Sequence, residues 1–308
     1  MRNTFINTIT ELAEMDERIV LLTADLGYKI FDNFAKKFPN RFYNVGIAEA
    51  NMVGVAAGLA SFGMRPYVYS IVPFATLRCC EQIRDDVAYN NLNVKIVGVG
   101  GGYAYGFNGP THHGIEDISV MRSIPNLNVL CPGDSLETEN IIISSWLGHA
   151  PTYIRLGRGG EPKVHKSLSK GILKRVNESE DFEDLIIFSC GGILSIVDSV
   201  NALLRKKDIK STVVSVPYVK PLYGSLIADM CRQTKNVVTV EEQTIVGGFG
   251  GAVAECLMED RIFVGFKRFG IRDMFIHTAG DQEYLRNLAG LSVELLYKNI
   301  LEFLKNNE

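Results

Sequence analysis

Residues 41–74, RFYNVGIAEANMVGVAAGLASFGMRPYVYSIVPF, decide how this chain folds. RFYNVG reads as a strand, small and apolar residues then fill 49–62 as a helix, and RPYVYSIV reads as a second, buried strand. Strand, helix and strand in that order make a parallel pair with a crossover helix, because a tight turn cannot connect parallel strands. Glu49 stands at the head of that helix with no cation beside it in the sequence. A surface helix surrounds its glutamates with lysines and polar neighbours, so a carboxylate in this company is expected to look into a cleft.

The alternation extends in both directions. Apolar residues at Phe5, Ile6, Ile9, Leu12 and Ala13 predict a helix over 2–15, RIVLLTADLG reads as a buried strand ending in a polar turn, and 31–38 reads as a further helix. Beyond residue 74 the pattern predicts a helix over 75–90, a strand at NVKIVGVG, a glycine-rich loop over 100–110 and a strand at NLNVLCP. The pattern then breaks at GRGGEPKVHKSLSKG and the acidic NESEDFED, a polar, glycine-bearing linker. It resumes with DLIIFSCGG, a helix over 193–206, STVVSVPYV, a helix over 221–233, NVVTVEE, a helix from about 248 and RIFVGFKRFG. The expectation is an α/β fold of two doubly wound domains, 1–165 and 183–308, joined by a linker over 166–182.

Composition narrows the function. With 46% apolar and 22% charged residues the chain is of ordinary globular type, and 32 basic against 35 acidic residues give a net charge of −3. Phosphate backbones and anionic membranes are bound by clustered Lys and Arg, so neither is expected as the main partner. The N-terminal segment is acidic and amphipathic, and no apolar run approaches the length of a bilayer span, which points to the cytoplasm. Cys79, Cys80, Cys131, Cys190, Cys231 and Cys256 follow no metal-ligand spacing, and neither zinc nor disulfides are expected.

In parallel α/β sheets ligands gather beyond the C-terminal strand ends. Glu49, Phe74, the 100–113 loop and Arg158 all fall there, and one cleft is expected to collect them. Phe74 offers an aromatic face to a planar ligand, with a core phenylalanine as the competing reading; Arg78 one turn later reads, from the residues alone, as a salt-bridged surface arginine. In GPTHHGIED an imidazole stands at a strand mouth, where it exchanges protons near neutral pH. Arg158, among glycines in RLGRGG, suits a phosphate or carboxylate, or else its own loop carbonyls. VEEQTIVGGFGGAVAE resembles a dinucleotide fingerprint only weakly: Val253 stands where that motif wants Gly or Ala, and the glycines read as close helix–loop packing.

In order, NVGIAEANMVGVAAGLASFG with RPYVYSIVPFATLRCCEQIRDDVAY, GPTHHGIEDISVMRSIPNLNVLCPGD, RLGRGG and VTVEEQTIVGGFGGAVAE resemble the C-terminal half of transketolases and the related deoxyxylulose-phosphate synthases. The resemblance runs from TADLG to DMFIHTAGDQEYL. It implies a thiamine diphosphate-binding pyrimidine-type domain followed by a transketolase C-terminal-like domain. Glu49, in the family's G-x-x-E motif, would hydrogen-bond the aminopyrimidine N1′ of thiamine diphosphate, a task served by an apolar, cation-free wall that disfavours the anion. Phe74 would stack on that ring, Ile71 would wall it, and Asp25 would be a cofactor-side acid. His112 would assist proton transfers on the sugar, Arg158 would bind its far phosphate, and Arg78 would be a second substrate contact. The resemblance leaves open whether Lys29 or Gln243 touches substrate.

The GDG…N segment that holds Mg²⁺ and diphosphate in this family is missing, so the resemblance implies a partner subunit that supplies it, in an α₂β₂ assembly. The implied activity is transfer of a two-carbon ketol unit from a ketose to an aldehyde. Its alternatives are the β subunit of a 2-oxoacid dehydrogenase, a deoxyxylulose-phosphate-synthase-like enzyme, or a regulatory homologue without chemistry. Gly100 replaces a histidine of sugar-phosphate transketolases, Asn108 an aspartate, and Gly101 an arginine of the synthases, losses expected to enlarge the pocket.

Overall fold

The computed structural model describes residues 1–167, 174–176 and 183–307. In the first part of the chain the strands are β1 (Ile19–Thr23), β2 (Phe42–Asn44), β3 (Arg65–Ile71), β4 (Lys95–Val99), β5 (Asn128–Leu130) and β6 (Thr152–Leu156). In the second they are β7 (Lys174–Arg175), β8 (Glu183–Cys190), β9 (Ser211–Ser215), β10 (Tyr218–Lys220), β11 (Thr234–Thr244) and β12 (Gly265–Ile271). The helices that matter here are α1 (Arg2–Met15), α2 (Glu49–Ser61), α3 (Ser135–Leu147), α4 (Leu194–Arg205), α5 (Phe249–Glu259) and α6 (Val293–Lys305).

The first sheet has the order β10-β5-β6-β4-β3-β1-β2, parallel throughout except for β10. Fully buried β1, β3, β4 and β6 take its centre, and the half-exposed β2 lies at an edge. Strand parity distributes β3: Tyr67, Tyr69 and Ile71 pack with Phe5, Ile9 and Leu12 of α1, whereas Val68 packs with Met52, Val53 and Ala56 of α2. Ser70 therefore shares the α2 side, next to Glu49.

The second sheet, β12-β11-β8-β9-β7, is parallel except for β7. α4 and α6 cover one face, and α5 lies in the apolar cluster on the other. That cluster is shared between the two parts of the chain, joining Cys131 and Tyr153 to Phe188, Val214 and Phe249.

Two expectations need correction, and a third falls largely on residues that are not described. STVVSVPYV is not one strand: after β9 the chain leaves the second sheet, and β10 pairs antiparallel with β5 at the edge of the first. The helix expected over 75–90 is broken. Pro73 opens a short helix (Val72–Ala75), Thr76 bonds its hydroxyl back to the Val72 carbonyl at 2.6 Å, and the chain continues through Cys80–Gln82 into a π-helical stretch, Ile83–Ala88. The linker expected over 166–182 lies largely outside the described residues, and within it Lys174–Arg175 form the edge strand β7. The six cysteines are free thiols. No helix among the described residues is long and apolar enough to cross a membrane.

Candidate active site

The strand mouths of β2, β1, β3, β4 and β6 lie side by side in the sheet, so residues that follow them are gathered although they are far apart in sequence. After β2, Asn44 shapes the approach to α2: its side-chain oxygen accepts the N–H of Asp25 at 2.9 Å and of Gly46 at 3.0 Å, and its amide donates to the Asp25 carboxylate at 3.3 Å. Asp25 itself is exposed and left-handed, with φ of 52°. Glu49 then opens α2 and is buried, at 2% exposure.

The Glu49 carboxylate has two partners. The Ser70 hydroxyl donates to Oε1 at 3.1 Å, and Arg78 Nη1 donates to Oε2 at 2.5 Å. The cation-free wall read from the sequence is thus incorrect: Arg78, 29 residues away, is delivered by the turn after Pro73. A buried carboxylate needs such a partner, because an unpaired charge out of water is far costlier than a paired one. The same guanidinium lies 4.2 Å over the Phe74 ring. Ile71 lines β3 just before Phe74 and is buried.

His112 meets Phe74 edge-on, with ring centroids 5.0 Å apart. Thr111 Oγ1 lies 3.0 Å from His112 Nδ1, which leaves Nε2 without a hydrogen bond among the described residues. His113 turns the other way: it is buried edge-on against Tyr103 at 5.0 Å, and burial pulls its pKa down. Only one imidazole of the pair thus belongs to the cleft. Beyond His112, Tyr105 lies 6.5 Å away, and the Arg158 guanidinium sits 5.0 Å over the Tyr105 ring. The chain of contacts Glu49–Arg78–Phe74–His112–Tyr105–Arg158 brings five of the seven expected residues together, with Asp25 and Ile71 on the adjoining strand ends. Gln243 is buried and donates to Ser119 at 3.3 Å, and Lys29 lies exposed beside Tyr28.

Arg2 was not singled out from the sequence. Its Nε is buried without a hydrogen-bond partner, and the guanidinium lies 3.8–4.0 Å from where a Cβ on Gly159 would stand. Neither Arg2 nor Arg158 forms an ion pair among the described residues; Glu161 nearby is engaged by the Met1 amino group at 3.1 Å and the Gly159 N–H at 2.7 Å. Both arginines act electrostatically on the Tyr105 hydroxyl. Positive charge from both arginines thus reaches the same hydroxyl, a setting that suits an anion. No local pattern announces Arg2, which comes close to Gly159 and Tyr105 only because α1 packs on the sheet.

The expected enlargement of the pocket at Gly100 and Gly101 is also corrected. A Cβ on Gly100 would stand 2.1 Å from the Tyr105 ring, and one on Gly101 2.6 Å from the Arg155 guanidinium, so both volumes are filled. Arg155 is structural: it is buried, pairs with Asp117 at 2.9 Å, and donates to the carbonyls of Gly114 and Glu242. The VEEQ segment supports the loop from the second sheet. Glu242 accepts the Tyr103 N–H at 2.9 Å, while Glu241 accepts the N–H groups of Phe249 and Gly250 at 2.6 and 2.8 Å. The helix N-terminus in GGFGG, where a dinucleotide phosphate would bind, is occupied by the chain's own carboxylate.

The arrangement fits a flat nitrogenous ring. The Arg78 guanidinium, itself planar and N–H donating, bridges the Glu49 carboxylate and the Phe74 face, the two kinds of contact that such a ring would make. Residues 1–162 match the family model of the transketolase pyrimidine-binding domain, and residues 174–295 that of the transketolase C-terminal domain. The chain belongs to the transketolase family. It is 35% identical over 306 residues to one of the subunits of the apulose-4-phosphate transketolase of Phocaeicola vulgatus, spanning 99% of this chain and 97% of that one. It is 35% identical over 295 residues to a 6-deoxy-6-sulfo-D-fructose transketolase subunit of a Clostridium species, spanning 96% and 91%. A solved structure described as a split gene transketolase, an inactive beta4 tetramer, superimposes with a TM-score of 0.89 at 33% identity, covering 100% of this chain and 99% of that one. Transketolases are thiamine diphosphate-dependent transferases of aldehyde or ketone residues, and in extent this chain corresponds to a single subunit of a split transketolase.

Proposed function

We propose that this chain is the pyrimidine-side half of a split transketolase, which moves a two-carbon ketol unit from an anionic ketose to an aldehyde acceptor. The observation that carries this reading is the line of contacts from Glu49 through Arg78, Phe74, His112 and Tyr105 to Arg158. Glu49 would hold the ring-side hydrogen bond of thiamine diphosphate, oriented by Ser70, while Phe74 and Ile71 would wall the ring and Asp25 would lie on the cofactor side. The cofactor, when bound, supplies the nucleophilic carbon and electron sink that cleavage of a ketose requires.

The chain's own residues do the rest. His112, with Nδ1 turned to Thr111, presents Nε2 to a sugar carbonyl or hydroxyl oxygen and moves a proton there. Arg158 and Arg2 hold the anionic end, and Arg78 stands at the boundary between cofactor ring and substrate. The two relatives named above carry phosphate- and sulfonate-bearing sugars in their names, which supports an anionic far group. Mg²⁺ and the diphosphate are held by a separate diphosphate-binding subunit in a heterotetramer; the solved neighbour, described as inactive as a beta4 tetramer, supports a need for that partner.

The test is co-expression with candidate diphosphate-binding chains, followed by mass spectrometry of products from a ketose panel. Ketol transfer that needs both chains supports the proposal. Tight thiamine diphosphate binding by this chain alone in calorimetry would overturn it.

A further inference from the structure

We propose that Tyr105 sets the substrate specificity of this site, closing the wall over Gly100 with its ring and offering its hydroxyl to an oxygen midway along the sugar; the inference rests on the ketol-transfer reading above. Gly100 has φ of +81°, and a Cβ there would lie 2.1 and 2.3 Å from Cε2 and Cδ2 of Tyr105. The ring therefore rests on bare backbone and takes the volume that the histidine of sugar-phosphate transketolases would need. Its neighbours span the cleft, with His112 at 6.5 Å on one side and the Arg158 guanidinium 5.0 Å over the ring. A sugar that reaches from the imidazole to the guanidinium has to pass this ring.

The hydroxyl makes no hydrogen bond among the described residues. Burial pushes its pKa up against the pull of Arg158 and Arg2, so it remains a donor across the neutral range, in contrast to an imidazole. The loop fixes where that donor stands. Asn108 N–H bonds to the Tyr105 carbonyl at 2.8 Å and Gly106 N–H to the Tyr103 carbonyl at 2.9 Å. A Cβ on Gly106 would strike the Gly280 carbonyl oxygen at 2.4 Å, so the loop is seated directly against the second part of the chain. A group held this way discriminates by geometry, because a ligand that lacks a matching oxygen leaves a donor unpaired and one that is too wide meets the ring.

The experiment measures kcat and KM separately for glycolaldehyde and for acceptors of three, four and five carbons, using the complex with its diphosphate-binding partner. Tyr105→Phe is expected to raise KM about tenfold more for the longer hydroxylated acceptors than for glycolaldehyde, with the effect falling on KM rather than on kcat. Tyr105→Ala, compared with Tyr105→Phe, is expected to relax discrimination against branched acceptors about tenfold. Thermal unfolding of each variant checks that the loop still folds. Wild-type turnover with unchanged acceptor ratios in both variants overturns the inference alone. Absence of ketol transfer by the wild-type complex overturns the reading beneath it, and the inference with it.

Discussion

At the scale of single residues, Glu49 joins two facts of different origin. Its place at the head of an apolar helix is written in the sequence, whereas its pairing with Arg78 and Ser70 is a product of the turn after β3 and of strand parity. Glu49→Gln keeps the shape and both partners' hydrogen-bonding groups but removes the acid, so the fold should persist while turnover falls at least about a hundredfold. Near-normal turnover in that variant would point to another base or to a regulatory homologue. Arg2 and Arg158 are tested by charge. Replacing either with Ala should raise KM for a phosphorylated or sulfonated ketose roughly thirtyfold, about 2 kcal/mol for a hydrogen bond to a charged group. KM for an uncharged analogue should stay as it was; an equal loss on both substrates would refute the anion clamp. His112 and Phe74 were legible because their residue types and strand-end positions point to chemistry together. Arg2 was not legible, since an arginine at the start of an amphipathic helix carries no sign of what packs over it.

At the scale of elements, the segment after β6 shows how a loop residue such as Arg158 is held. Asp134 caps α3 by accepting the Glu137 N–H at 3.0 Å, and its other oxygen accepts the N–H groups of Val164 and His165 at 3.1 and 2.8 Å, with His165 Nδ1 at 3.0 Å. Burial would raise the pKa of this carboxyl, but the His165 ring and the backbone donors outweigh it and bring it down to about 2 from 3.8. A carboxylate depressed in the folded state stabilises the fold fully above its unfolded pKa and loses that contribution as pH falls through the folded one. The melting-temperature gap between wild type and Asp134→Asn should therefore be constant above pH ~4 and shrink between pH ~4 and ~2. A gap that stays constant to pH 2 would show that Asp134 is not the group responsible. The periodicity gave α1, α2, α4 and α5 nearly to the residue, because each has a face that must be buried. It missed the break after Phe74, since Thr76 competes for a helix carbonyl only once the chain has turned.

At the scale of the whole molecule, α2 and its C-terminal end carry exposed apolar side chains on the outer side as well as buried ones on the inner. Val55 and Phe62 are 40% and 91% exposed, and with Gly58 they continue the outward row of the helix. Exposed apolar side chains lined up on one helix mark a surface that a partner covers. Val55→Glu and Phe62→Glu should each change the stability of the isolated chain by no more than about 0.5 kcal/mol, yet prevent co-purification with the diphosphate-binding partner; undiminished assembly would place the interface elsewhere. The sequence by itself determined the α/β alternation, the parallel strands and the residue types waiting at their ends, because periodic burial and strand-to-helix spacing are local properties. Only the tertiary structure decided that β10 crosses to the first sheet, that Tyr105 fills the space over Gly100, that Arg78 reaches Glu49 and that Arg2 comes close to Gly159 and Tyr105. Those outcomes follow from which surfaces pack when distant segments are brought together, and no single segment carries that information.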